Sequence, residues 1–194
     1  MAYRSGTYVA FHADDTPDPI ESDMRYYRIV DAWKNNDNLE LSFVNSHDKA
    51  SAVQDTSLRS TLENSLLERL RNSKNLLLII GDTTKNDPDW VPFEISRAVD
   101  TYNLPIIAAY PDYRYLFPEY YAPVNFRSLW PTSLATRIDN NTAKVIHIPF
   151  RKEPIAAAIN QFGVNDQIPG TSLDYYIRDA YVRWGLFNPL TDRA

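Results

Sequence analysis

Residues 87–100 read DPDWVPFEISRAVD, and a single carboxylate, Glu94, stands there among apolar neighbours, one turn after Trp90. Asp89 can cap a helix, and Trp90 and Pro92 fit its first turn, so Glu94 comes one turn in. A carboxylate set beside aromatic rings at a helix start can steady positive charge developing on a sugar carbon, or capture that carbon covalently. One carboxylate suffices when the leaving group is a cation such as nicotinamide, which departs without help from an acid, while aromatic rings stack on a flat base. The spacing alone also fits a plain structural role: a first-turn acid favoured by the helix dipole and paired with Arg97 at i+3.

The elements that must position this carboxylate are legible as alternating runs. Five short β-rich stretches punctuate the chain: GTYVAF (6–11), LELSFV (39–44), NLLLIIG (75–81), LPIIAAY (104–110) and AKVIHIPF (143–150). The third and fourth are almost continuously apolar, as parallel strands covered on both faces require. Helical periodicity fills the gaps. Tyr26, Val30 and Trp33 share a face within 21–35, and Leu58, Leu62, Leu66 and Leu70 form a stripe within 57–73. A helix over 89–102 follows, and Pro154 opens another with Ile155, Ala158, Ile159 and Phe162 facing inward. This alternation predicts an α/β fold, a flavodoxin-like doubly wound five-stranded parallel sheet of order 2-1-3-4-5. Ligands in such sheets bind beyond the carboxyl ends of the strands, which here deliver residues 12–15, 45–48 and 82–90.

Two segments exceed a minimal five-strand domain. Residues 111–142 form a connection rich in proline and aromatics, with a short helix expected at 132–137. After QIPG (167–170), Thr171 and Asp174 resemble a capping box, and Leu173, Tyr176, Ile177, Ala180, Tyr181 and Trp184 form a helical stripe. We expect an amphipathic helix over 172–184 that packs back on the domain.

Composition removes several classes of function. The 194 residues carry a net charge of −5, and the 20 basic residues are scattered, which argues against nucleic acid as a partner. With no cysteine, thiolate chemistry and Cys-based zinc sites are excluded, and His12, His47 and His147 lack ligand spacing, so no metal is expected. The N-terminal MAYRSGTYVAF lacks a signal-peptide core, and the longest aliphatic run, LLLII (76–80), is too short to span a bilayer. A cytoplasmic protein with no membrane partner is expected. A phosphoacceptor receiver domain also fits loosely, with Asp14 and Asp15, Asp82 and Lys152 in approximate places, but strand four ends AAYPD without the Ser or Thr that chemistry needs.

Trp90-Val91-Pro92-Phe93-Glu94-Ile95 resembles the W-x-x-x-E-[IL] signature of TIR domains, and TYVAFHADD (7–15) is similar to the first strand of bacterial TIR-like proteins of the Thoeris antiphage ThsB type. Residues 57–99 follow the same family's helix B, strand C and helix C in order. The resemblance implies a TIR-like domain over 1–163, with 111–142 as an insertion and 164–194 as a C-terminal extension. It implies that Glu94 is the catalytic residue of a NAD+ glycohydrolase or cyclase. NAD+ is then the substrate, no cofactor is needed, and the product is an ADP-ribose-type signal, linear or cyclic. Phe11, His12, Asp15, Asp48, Trp90 and Phe93 form the implied substrate-binding set. Two departures are visible: VNSHDKASAVQDTS (44–57) lacks the Arg-Asp-x-x-Pro-Gly of the TIR BB loop, and residue 10 is alanine where serine is frequent. The family further implies self-association, a phage-derived trigger and a downstream effector that reads the small-molecule signal. Alternatives from other classes are a non-catalytic TIR-type assembly module and a nucleoside deoxyribosyltransferase-like enzyme, which would prefer free nucleosides.

Overall fold

A computed structural model of the chain describes residues 4–12, 26, 29, 30, 32, 33, 41–43, 56–166 and 170–192. Its centre is an all-parallel sheet of six strands: β1 (Gly6–Ala10), β2 (Leu41–Phe43), β3 (Ser73–Ile79), β4 (Ile106–Tyr110), β5 (Val145–Pro149) and β6 (Asp174–Tyr175). They lie in the order β2-β1-β3-β4-β5-β6. The register pairs Tyr8 with Leu76 and Leu76 with Ile106, so the apolar runs stack side by side across the sheet.

Strand periodicity sorts these runs into two layers. Tyr8, Ala10, Leu76, Leu78, Ile106 and Ala108 face a core built with Leu62, Leu66 and Leu70 of helix α1 (Thr56–Asn72). Val91 and Ile95 of helix α2 (Trp90–Ser96) join the same layer. Val9, Phe11, Leu77, Ile79 and Ile107 face the opposite layer. There they meet Tyr26 and Val30, which lie in the helical residues before β2, and Ile155, Ala158 and Ile159 of helix α4 (Lys152–Gln161). Each fully buried Leu or Ile in these layers contributes roughly 1.5–3 kcal/mol of transfer free energy.

Helix α2 continues as a π turn over Arg97–Thr101 and stops at Asn103, whose φ of 54° lies in the left-handed region tolerated by asparagine. The long connection after β4 folds as a 3-10 segment, Pro123–Leu129, followed by helix α3 (Thr132–Asp139). Phe126 from this segment packs on Tyr110 with ring centroids 4.6 Å apart, so the aromatic insertion is anchored on the end of β4.

The expected helix over 172–184 is corrected. Only helix α5 (Arg178–Arg183) forms, and the residues before it supply strand β6. The Thr171–Asp174 pairing exists, with the Thr171 N–H donating to Asp174 Oδ2 at 2.9 Å. The second half of a capping box is replaced, because Thr171 Oγ1 donates to Asp174 Oδ1 at 2.8 Å. The open edge of β5 then captures the chain, pairing Ile146 with Asp174 and His147 with Tyr175. A sheet edge offers a row of unpaired backbone groups, and an LDYYI stretch rich in strand formers satisfies them better than an isolated helical turn would. Ala180 and Tyr181 of the predicted stripe are buried, whereas Ile177 is 62% exposed.

Candidate active site

Helix α2 is launched by Asp87. Its Oδ1 accepts the N–H groups of Asp89 at 2.8 Å and Trp90 at 2.9 Å, filling donors that the first turn leaves open. Asp89 occupies the cap position without a side-chain cap bond, which corrects the sequence expectation. Its carboxylate is taken by Arg59 of α1, which donates to both oxygens at 2.6 Å. The fork of a guanidinium matches a carboxylate on two points, so Asp89 is held by Arg59 and Asp87 is left to cap. The same Arg59 guanidinium lies over the Trp90 ring, 4.9 Å from its centroid. Helix α2 is therefore fixed in rotation by a cap, an ion pair and a cation–π contact before its interior residues are considered.

That rotation turns Glu94 toward β1. Glu94 is 0% exposed, and Tyr8 of β1 donates its phenol hydrogen to Glu94 Oε1 at 2.5 Å. Burial pushes the Tyr8 phenol well above its ordinary pKa, and the adjacent Glu94 charge and hydrogen bond push it further, against a smaller opposite pull from Arg69. Tyr8 thus keeps its hydrogen at physiological pH and aims it at Glu94 in dry surroundings. Arg97, the i+3 residue considered as a partner, is exposed and spreads its guanidinium over Phe93 at 5.3 Å.

The other expected site residues divide into groups. Phe93 is half-buried and meets Trp90 edge to face, with centroids 6.2 Å apart. Trp90 is 5% exposed and belongs to the core layer around α1 and α2. His12 stands half-buried at the carboxyl end of β1, its Nδ1 3.2 Å from Thr83 Oγ1 in the loop after β3. Thr84 braces that loop, its Oγ1 accepting the Gly81 N–H at 2.9 Å. Phe11 is fully buried in the layer on the opposite face of the sheet from Glu94, as strand alternation requires. Asp15 and Asp48, with the receiver-like Asp14, lie outside the described residues.

Three residues that shape this site escaped the sequence reading: Tyr8, Asp87 and Arg59. A signal for Tyr8 existed. An inward-facing tyrosine in TYVAF must find a partner for its hydroxyl, and an acid on a covering helix is the natural one. A cavity of about 340 Å³ opens at the amino ends of the strands, beside Asn103, Leu104, Thr142, Lys144 and Val164, and shares no lining residue with the Glu94 cluster.

A family model of the Thoeris protein ThsB TIR-like domain matches residues 8–115, more than half of the chain. The chain belongs to this family. It is a TIR-type module of antiphage defence. The matched span begins at Tyr8 and contains Glu94, so both partners of the buried hydrogen bond lie inside the TIR-like domain. Strand β5 and the extension that carries β6 and α5 lie beyond it.

Proposed function

We propose that this TIR-like domain cleaves the nicotinamide–ribose bond of NAD+, with Glu94 as the catalytic carboxylate. The observation that carries the reading is the completely buried Glu94, held by Tyr8 on the helix that follows β3. As the C1′–N1 bond breaks, its electron pair leaves on the nicotinamide nitrogen and discharges the pyridinium. The positive charge then sits on the ribose, where Glu94 stabilises it. Water adds to C1′ and loses a proton to give ADP-ribose; attack by a nucleophile of the same molecule gives a cyclic product instead. His12, Trp90 and Phe93 border the substrate in this reading. Phe11, packed behind the end of β1, sets where His12 emerges, and Asp15 and Asp48 complete the proposed binding set.

Because Glu94 has no exposed surface, NAD+ reaches it only after its covering moves. Self-association or a phage-derived trigger supplies that movement, and a downstream effector reads the product. The same burial favours a second reading, in which the domain signals by assembly alone. Purified protein incubated with NAD+ across a concentration series, with and without phage lysate, separates the two when products are resolved by chromatography and mass. Catalysis predicts nicotinamide release that rises more steeply than linearly with enzyme or on triggering. Glu94→Gln should lower it by at least about 100-fold, as loss of a key electrostatic group does. A Gln variant that releases nicotinamide at the wild-type rate would refute the assignment.

A further inference from the structure

We infer that Tyr8 is a positioning residue, whose phenol fixes one oxygen of Glu94 and keeps the carboxylate ionised inside the core. This deepens the reading of Glu94 as a catalytic carboxylate and rests on it for its consequence in turnover. Its physical content, the state of Glu94, stands apart from any activity.

The geometry is specific. Tyr8 sits mid-strand in β1, flanked by β2 and β3, and is 0% exposed, so its ring has no freedom to swing away. Its hydroxyl meets Glu94 Oε1 at 2.5 Å, the short end of the range for a phenol on an ionised oxygen. Burial alone drives a carboxyl group toward its neutral form, and a neutral Glu94 would lose the charge that the proposed reaction uses. A donor hydrogen bond to the charged form opposes that drift, and hydrogen bonds to charged groups are the stronger kind. Arg69 of α1 acts on Tyr8 through its charge, and the neighbouring turns of α1 and α2 carry Arg59, Asp87, Asp89 and Arg97. Arg59 and Asp89 neutralise each other, Asp87 is engaged with the backbone, and Arg97 is exposed over Phe93. The Tyr8 phenol is in direct hydrogen-bond contact with Glu94 Oε1. With Oε1 fixed on the β1 side, the carboxylate plane is set, and its second oxygen is presented in one orientation rather than sampling many.

The test uses the full-length protein with 13C-labelled glutamate, the Glu94 carboxyl signal being the one absent from Glu94→Gln. Two changes at position 8 should move its titration in opposite directions. Tyr8→Phe removes the donor and should raise the midpoint by about one pH unit or more, the scale of one charge-assisted hydrogen bond. Site-specific 3,5-difluorotyrosine makes the phenol a stronger donor and should lower it, in a protein that differs by two fluorine atoms and so keeps its fold. Where NAD+ is turned over, the acid limb of the kcat/KM profile should follow both shifts, and Tyr8→Phe should regain rate as pH rises. A structural role for Tyr8 would lower activity equally at every pH. Unchanged Glu94 midpoints in both proteins would overturn the inference whatever the enzyme does with NAD+. Shifted midpoints alongside wild-type turnover in Glu94→Gln would uphold it while removing the proposed reaction.

Discussion

The buried histidine of β5 makes stability depend on pH in a way that can be isolated from every other group. His147 is 0% exposed. Trp130 Nε1–H donates to the Tyr110 hydroxyl oxygen at 2.8 Å, an indole having no other role. The Tyr110 hydrogen is then directed at His147 Nδ1, also 2.8 Å away, so Nδ1 accepts. Nε2 therefore carries the ring proton and donates it to the Ser172 carbonyl at 3.1 Å. Protonating Nδ1 would set two hydrogens face to face in dry surroundings, and burial lowers the His147 pKa to about 4 from the ordinary 6.5. A folded-state pKa below the unfolded one means that the unfolded chain binds the extra proton first. The stabilisation is complete above about pH 6.5 and is lost as pH falls to about 4, below which both states are charged. A gap of this size is worth roughly 3 kcal/mol. Urea denaturation of wild type and His147→Gln, at steps from pH 7.5 to pH 4, measures it. Glutamine does not titrate, and His12, His47 and the carboxylates are common to both proteins. The stability advantage of wild type should therefore shrink by about 3 kcal/mol across that window. An advantage that stays constant from pH 7 to pH 4 would show that His147 is not held neutral by its surroundings, and the assigned tautomer would fall with it.

Arg59→Lys keeps the charge but loses both the two-point contact with Asp89 and the flat face over Trp90. Because the paired side chains are 36% and 31% exposed, the loss should be modest, about 1 kcal/mol or a few degrees in Tm; an unchanged melting curve would show that Arg59 does not set helix α2. Truncation after Gly170 removes β6 and α5 and strips Tyr181 and Phe187 from Phe117, whose ring they flank at 5.7 and 5.2 Å. The exposed aromatic patch should drive aggregation, seen by light scattering on a sizing column, and a monodisperse truncation with wild-type Tm would show the extension to be dispensable.

The sheet was legible because its information is local. NLLLIIG and LPIIAAY are almost continuously apolar, as strands covered on both faces are, and the periods of the intervening stretches name the covering helices. Strand β6 was not legible, because Leu173, Tyr176, Ile177 and Ala180 satisfy a helical period and only the free edge of β5 decides for two residues of strand. The cap of α2 failed for a similar reason. Asp87 and Asp89 are both able to cap, and Arg59, 30 residues upstream, settles the choice. Glu94 stands out by its neighbours in sequence, whereas its partner Tyr8 lies 86 residues away and emerges only when α2 is laid against β1.

The remaining polar groups of the core show why that last pair is unlike the others. Thr7 donates to Asn75 Oδ1 at 2.6 Å, and Asn75 donates to the Phe162 carbonyl at 2.9 Å, tying β1 to β3 and β3 to the end of α4. Trp130, Tyr110, His147 and Ser172 tie the aromatic insertion through β4 and β5 to the extension. Every group in these two chains is neutral, and each bond replaces one made to water at little net cost. The tie between β1 and α2 is made with an acid. A buried charge costs several kcal/mol to desolvate, and a Phe–Leu contact of similar volume would join the same two elements without that cost. Stability therefore argues against a glutamate at position 94, on a helix already fixed by Asp87 and Arg59. On the reading proposed above, a glutamate kept there at the expense of the fold has its value in its charge, which would steady a cationic ribose.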